Sequence, residues 1–142
     1  MQKISKHCSL HEAIQSQTAT RRKIDNTPTE QHLKNMKLVA ERCFEPIRTH
    51  FGVPLFISSF YRSKRLNQAI GGSKTSDHQY GLAIDIDADV CGGVTNAEIY
   101  EWAKVNLEYD QLIWEFGTEE NPAWVHISYR SPSQNRNQAF KI

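Results

Sequence analysis

Ser76-Asp77-His78-Gln79-Tyr80-Gly81-Leu82-Ala83-Ile84-Asp85-Ile86-Asp87 reads as a turn that feeds a strand. From Leu82 the residues alternate, with Leu82, Ile84 and Ile86 on one face and Ala83, Asp85 and Asp87 on the other. The apolar face needs a core against it, so the two carboxylates look away from that core. A second alternating stretch, Trp124-Val125-His126-Ile127-Ser128-Tyr129, places Trp124, His126 and Ser128 opposite Val125, Ile127 and Tyr129. If these strands are neighbours, His126 and Asp85 share a cleft and His78 leans in from the turn. Two imidazoles, one carboxylate and an open fourth position form the donor set of catalytic zinc rather than of the closed structural kind. On spacing alone, a surface carboxylate and histidines satisfied within the fold stay open as readings.

Outward from that centre, the chain shows helix starts and further strands. Ser9-Leu10-His11-Glu12 and Thr95-Asn96-Ala97-Glu98 have the form of capping boxes, in which a hydroxyl and a carboxylate satisfy the first amides of a helix reciprocally. Thr27-Pro28-Thr29-Glu30 predicts a long helix capped by Thr27, with Leu33, Met36, Ala40, Cys43, Phe44, Ile47 and Phe51 on one face. Pro46 predicts a kink within it, and Gly52 with Pro54 ends it. Leu55-Phe56-Ile57-Ser58 is a short strand, and Ser63 caps a brief helix that runs through Ile70 to Gly71-Gly72. Gln111–Phe116 and Trp124–Tyr129 are two more strands joined by a loop, and the polar tail after Arg130 reads as a surface segment. Helices early and strands late make the class α+β, a small antiparallel sheet flanked by helices.

Composition bounds the rest. The 142 residues fit one domain, 1–142, and an apolar fraction of 39% with 23% charged residues is that of a globular chain. Seventeen basic residues against 16 acidic ones leave a net charge of +1, too balanced for a protein that works by neutralising phosphates, so no nucleic-acid partner is expected. No apolar run approaches the roughly 20 residues of a membrane span, so no membrane partner is expected either. Met1 to Leu10 carries no apolar signal region, from which cytoplasmic synthesis without a signal peptide is expected. Cys8, Cys43 and Cys91 are widely spaced and odd in number, which fits reduced thiols better than a disulfide framework.

The pattern Ser76-x-His78-x-x-Gly81-x-Ala83-x-Asp85, followed by Trp124-x-His126, resembles the zinc D-alanyl-D-alanine carboxypeptidases and related peptidoglycan peptidases of the M15 family, which share a fold with the Hedgehog signalling domain. Asp25-Asn26-Thr27-Pro28, Ser58-Ser59-Phe60-Tyr61-Arg62-Ser63, Leu66-Asn67 and Gly71-Gly72-Ser73 extend the likeness to the short phage and bacterial members, over about Ser9 to Ser131. Phe60 stands where the family's block usually has Gly.

The resemblance implies His78, Asp85 and His126 as ligands of one catalytic Zn2+, and Arg62 as the guanidinium that meets a substrate carbonyl or carboxylate. Ser76 either binds substrate or holds the His78 turn. A general base must take the water proton. Ala123 occupies the position where several members carry an acid, so Glu115 is the first choice, with Glu119 and Glu120 behind it. Asp87 is a candidate partner for a ligand imidazole. The implied activity is hydrolysis in the peptidoglycan stem, as a carboxypeptidase or an endopeptidase, by a monomer that reaches the wall after phage lysis or as part of a virion. The alternative is a zinc-containing module of the same fold that binds the wall without cleaving it, motivated by Ala123.

Overall fold

The protein is described here by a computed structural model covering residues 2–142. A two-stranded hairpin opens the chain, β1 (Lys3–Ser5) with β2 (Cys8–Ser9), and Glu45 fastens it by accepting from the backbone N–H of His7 at 2.8 Å. The helix α1 (Leu10–Ile14) starts from the Ser9/Glu12 capping box, and α2 (Gln17–Arg22) from Ser16, whose hydroxyl accepts from the Ala19 amide.

The long helical run begins two residues later than the sequence predicts. Asp25 Oδ1 captures the Thr27 amide at 2.9 Å in a local turn, so Thr27 is committed before Pro28. Thr29 then caps α3 (Glu30–Val39), with His32 in the place usually held by Glu: Thr29 Oγ1 accepts from the His32 amide, and His32 Nδ1 accepts from the Thr29 amide. Ahead of Pro46 the helix widens into a π-helical segment, Ala40–Phe44, before continuing as α4 (Glu45–Phe51). Proline offers no N–H and crowds the carbonyl four residues back, and a wider turn at that point relieves both demands. Met36, Val39, Ala40, Cys43, Phe44 and Ile47 nevertheless form one fully buried face across all three segments.

The five-stranded sheet comprises β3 (Phe56–Ser59), β4 (Ala83–Asp87), β5 (Gln111–Glu115), β6 (Trp124–Ser128) and β7 (Gln138–Lys141), in the order β3-β4-β6-β5-β7. The first four pair antiparallel, as predicted, but β7 pairs parallel with β5. After β6 the chain crosses the end of β5 and returns on its far side, so the expected surface tail supplies a sheet edge. Between β3 and β4 lies α5 (Lys64–Ala69), capped by Ser63, and between β4 and β5 lies α6 (Asn96–Asn106), begun by the Thr95/Glu98 capping box.

One face of the sheet presents Ile57, Ile84, Ile86, Leu112, Val125 and Ile127, all buried, to a core shared with α3, α4 and α6. Each such aliphatic side chain contributes about 1.5–3 kcal/mol on burial. A smaller cluster, Ala19, Ile24 and Leu66, ties α2 to α5. The pleat therefore leaves the opposite face of β4, β6 and β5 open, and Asp85, His126 and Glu115 stand on it. No helix among the described residues is long and apolar enough to cross a membrane.

Candidate metal centre

Register brings the site together. In the antiparallel pairing Asp85 lies directly opposite His126, and His126 directly opposite Ile113, while Glu115 lies opposite Trp124 one step along the same face. His78 arrives from a 3-10 turn, Asp77–Tyr80, that ends at Gly81 with φ of +72°. A Cβ on Gly81 would lie 2.7 Å from Met36 Cγ and 2.8 Å from the His32 carbonyl, so the close passage of this turn over α3 needs glycine. Ser76 caps the turn, its hydroxyl accepting from the His78 amide at 3.2 Å and from Arg62 Nη2 at 3.2 Å.

One ligand atom from each of His78, Asp85 and His126 lies within 4.8 Å of the others. His78 Nε2 is 3.2 Å from Asp85 Oδ2, and His126 Nδ1 is 3.0 Å from Asp85 Oδ1 and 3.5 Å from Glu115 Oε1. The other ring nitrogen of His78, Nδ1, sits 2.7 Å from the Phe60 carbonyl oxygen. A carbonyl only accepts, so Nδ1 carries the proton, and in the neutral ring Nε2 presents a lone pair. That nitrogen is buried without a hydrogen-bond partner, and it faces a carboxylate oxygen. A buried ring nitrogen and a buried carboxylate oxygen this close, with no hydrogen bond between them, are satisfied by a cation that both can hold. The donor set therefore fits a divalent metal, and N,N,O coordination with one open position fits zinc.

A family model for peptidase M15 matches residues 6–128. The chain belongs to the peptidase M15 family. No curated protein matches it. As a member of this family the chain carries a metallopeptidase-type hydrolase domain, and its His78-Asp85-His126 group is able to hold a metal.

The cleft around this group, about 680 Å³, is bounded by Arg62, Ser76, Glu115, Trp124 and Arg130. Burial alone would raise the Asp85 pKa, but the flanking His78 and His126 outweigh it and hold the carboxylate well below its ordinary range. Glu115 shifts the other way, upward, because it is half-buried and close to Asp85. Desolvation lowers the Arg62 pKa, while Asp85 and Glu115 oppose that shift. The Arg62 backbone amide donates to the His78 carbonyl at 3.1 Å and its Nη2 donates to the Ser76 hydroxyl at 3.2 Å, so the arginine and the His78 turn are fixed to each other, while Nε is buried without a partner.

The other sequence candidates divide. Glu119 and Glu120 are exposed on the loop and do not line this cleft. Asp87 makes no contact with either imidazole; its carboxylate caps the 3-10 turn at Ala88–Val90 and accepts from Asn96 Nδ2 at 3.0 Å. The acceptor that fixes His78 is the Phe60 carbonyl, a backbone atom whose role no side-chain pattern reveals. Of the aromatic side chains near the site, Trp124 lines the cleft, whereas Trp114 is buried in the core and Tyr80 is exposed. Asp110, Arg130 and Arg136 are further residues of the cleft region that the sequence reading passed over. Asp110 is fully buried, Arg136 grips it from Nε and Nη2 at 2.9 and 2.8 Å, and Arg130 spans from Asp110 at 3.0 Å to Asp77 at 2.7 Å.

Proposed function

We propose that the protein is a zinc-dependent peptidase that hydrolyses peptide bonds in the peptidoglycan stem. The observation that carries this reading is the buried, unpartnered Nε2 of His78 turned toward Asp85 with His126 beside it. His78, Asp85 and His126 would hold one zinc ion, which supplies Lewis acidity at the scissile carbonyl and acidifies water.

The chain's own groups do the remainder. Arg62 orients the carbonyl oxygen by donating from a guanidinium that is always charged. Glu115, on the same sheet face and 3.5 Å from His126, takes the proton of the attacking water on a carboxylate oxygen and passes it to the departing amine nitrogen. The C–N bond breaks, hydroxyl stays with the carbonyl carbon and hydrogen goes to nitrogen. Ser76 holds the turn and the Arg62 guanidinium through one hydroxyl.

Glu115 also weighs against the module that binds without cleaving. Ala123 removes one possible acid, but a carboxylate already lines the cleft. A monomer that meets the wall after phage lysis, or as a virion component, is the setting we propose. Purified zinc-loaded protein should release peptides or D-Ala from isolated cell walls, lose that activity to a chelator and regain it with zinc. Absence of release from walls of every common stem type overturns the reading.

A further inference from the structure

Arg62, Asp85 and Trp124 line two depressions, not one. One arm runs past Ser73, Gln111, Ile113 and Arg136. The other, about 340 Å³, runs past Ser16, Thr18, Ser58, Ser59 and Leu66. The arms meet at Asp85, a member of the ligand set, so space for a chain continues on both sides of the metal centre.

The charges of these arms point the same way. A carboxypeptidase recognises the terminal carboxylate of its substrate, which calls for a cation not already neutralised. The basic side chains lining the arms are Arg62, Arg130 and Arg136. Arg130 and Arg136 are matched by Asp77 and Asp110 through ion pairs of 2.7 to 3.0 Å. Arg62 lines both depressions together with Asp85, so it stands at the junction, where the scissile carbonyl must also lie. Neither arm therefore ends in a free cation among the described residues, and both offer neutral hydroxyls and amides suited to a peptide backbone.

We infer that this chain is an endopeptidase: an extended peptide crosses the metal centre with residues on both sides, and the bond cut is internal to the stem or cross-bridge rather than the terminal D-Ala bond. This rests on the stem-hydrolase reading above. Zinc-loaded protein should be incubated with sacculi of the L-Lys and the meso-diaminopimelate types, and the soluble products identified by mass spectrometry. Internal scission, with new amino termini on fragments larger than one residue, is expected. Release of D-Ala as the sole product overturns the inference and leaves the peptidase standing, whereas no release at all overturns both. Amide shift mapping of the zinc-loaded Glu115→Gln protein with a synthetic stem pentapeptide adds a readout independent of turnover. Shifts at Ser58–Ser59 and also at Ser73 and Gln111 are expected; shifts in one arm alone, or in neither, overturn the inference.

Discussion

Asp85 and Asp110 are both buried carboxylates gripped by two basic side chains, yet they do different work because their surroundings are satisfied to different degrees. Asp110 accepts from Arg136 Nε and Nη2, from Arg130 Nε and from the Arg136 amide, all between 2.8 and 3.0 Å. Its partners are permanent cations whose other ends reach solvent, so the group is complete and rigid. Asp85 faces two imidazoles rather than permanent cations, one of which turns a buried ring nitrogen toward it with no hydrogen-bond partner. The first arrangement is finished without a ligand; the second requires a cation to be finished. A buried acid alone therefore signals nothing, and the unmet acceptor beside it marks the site.

Removing a ligand should have the largest effect. His78→Ala, Asp85→Ala and His126→Ala should each lose zinc together with activity, a fall on the order of 10³-fold or more, because several kcal/mol of charge stabilisation leave with the metal. Metal content by mass spectrometry and peptide release read the two losses side by side. Glu115→Gln should separate them, retaining zinc and the folded state while turnover drops by roughly 10²–10⁴-fold. Zinc loss in that variant would mean that Glu115 supports the ligands instead of moving a proton.

Asp110→Asn should act on stability instead, costing roughly 2 kcal/mol, since the arginines it releases are half-exposed and rehydrate in part. For a chain of this size that is a fall in Tm of roughly 6 °C. The smallest effect is its pH dependence. Hydrogen bonds from Arg136, and then from Arg130, hold the Asp110 pKa below its unfolded value of about 3.9. Its contribution is thus complete above that pH and lost as the pH falls through the folded pKa. The gap in Tm between parent and variant should narrow from pH 7 to pH 3; a constant gap would show that Asp110 contributes through shape rather than charge.

The same contrast explains what was legible in the sequence. Alternation fixed the faces of β4 and β6, and a single face assignment placed Asp85 and His126 together once the strands proved adjacent. Capping signals at Ser9, Ser63 and Thr95 are local, and each matches the structure. Thr27 misled because a competing carboxylate, Asp25, takes its amide. The strand β7 was invisible because Gln138 and Lys141 are exposed and its pairing depends on a chain reversal anchored by Asp110, nearly thirty residues away. Phe60 was noticed for its side chain, whereas its carbonyl is what orients His78. Long-range partners of this kind leave no periodic trace.

Anomalous diffraction at the zinc edge, from crystals of the zinc-loaded protein, tests the central claim most directly. A single peak is expected on the open face of the sheet, contacted by His78 through Nε2, by His126 through Nδ1 and by an Asp85 carboxylate oxygen, with His78 Nδ1 still donating to Phe60. No peak there, or a peak bound through His78 Nδ1 or through a different set of residues, would contradict it.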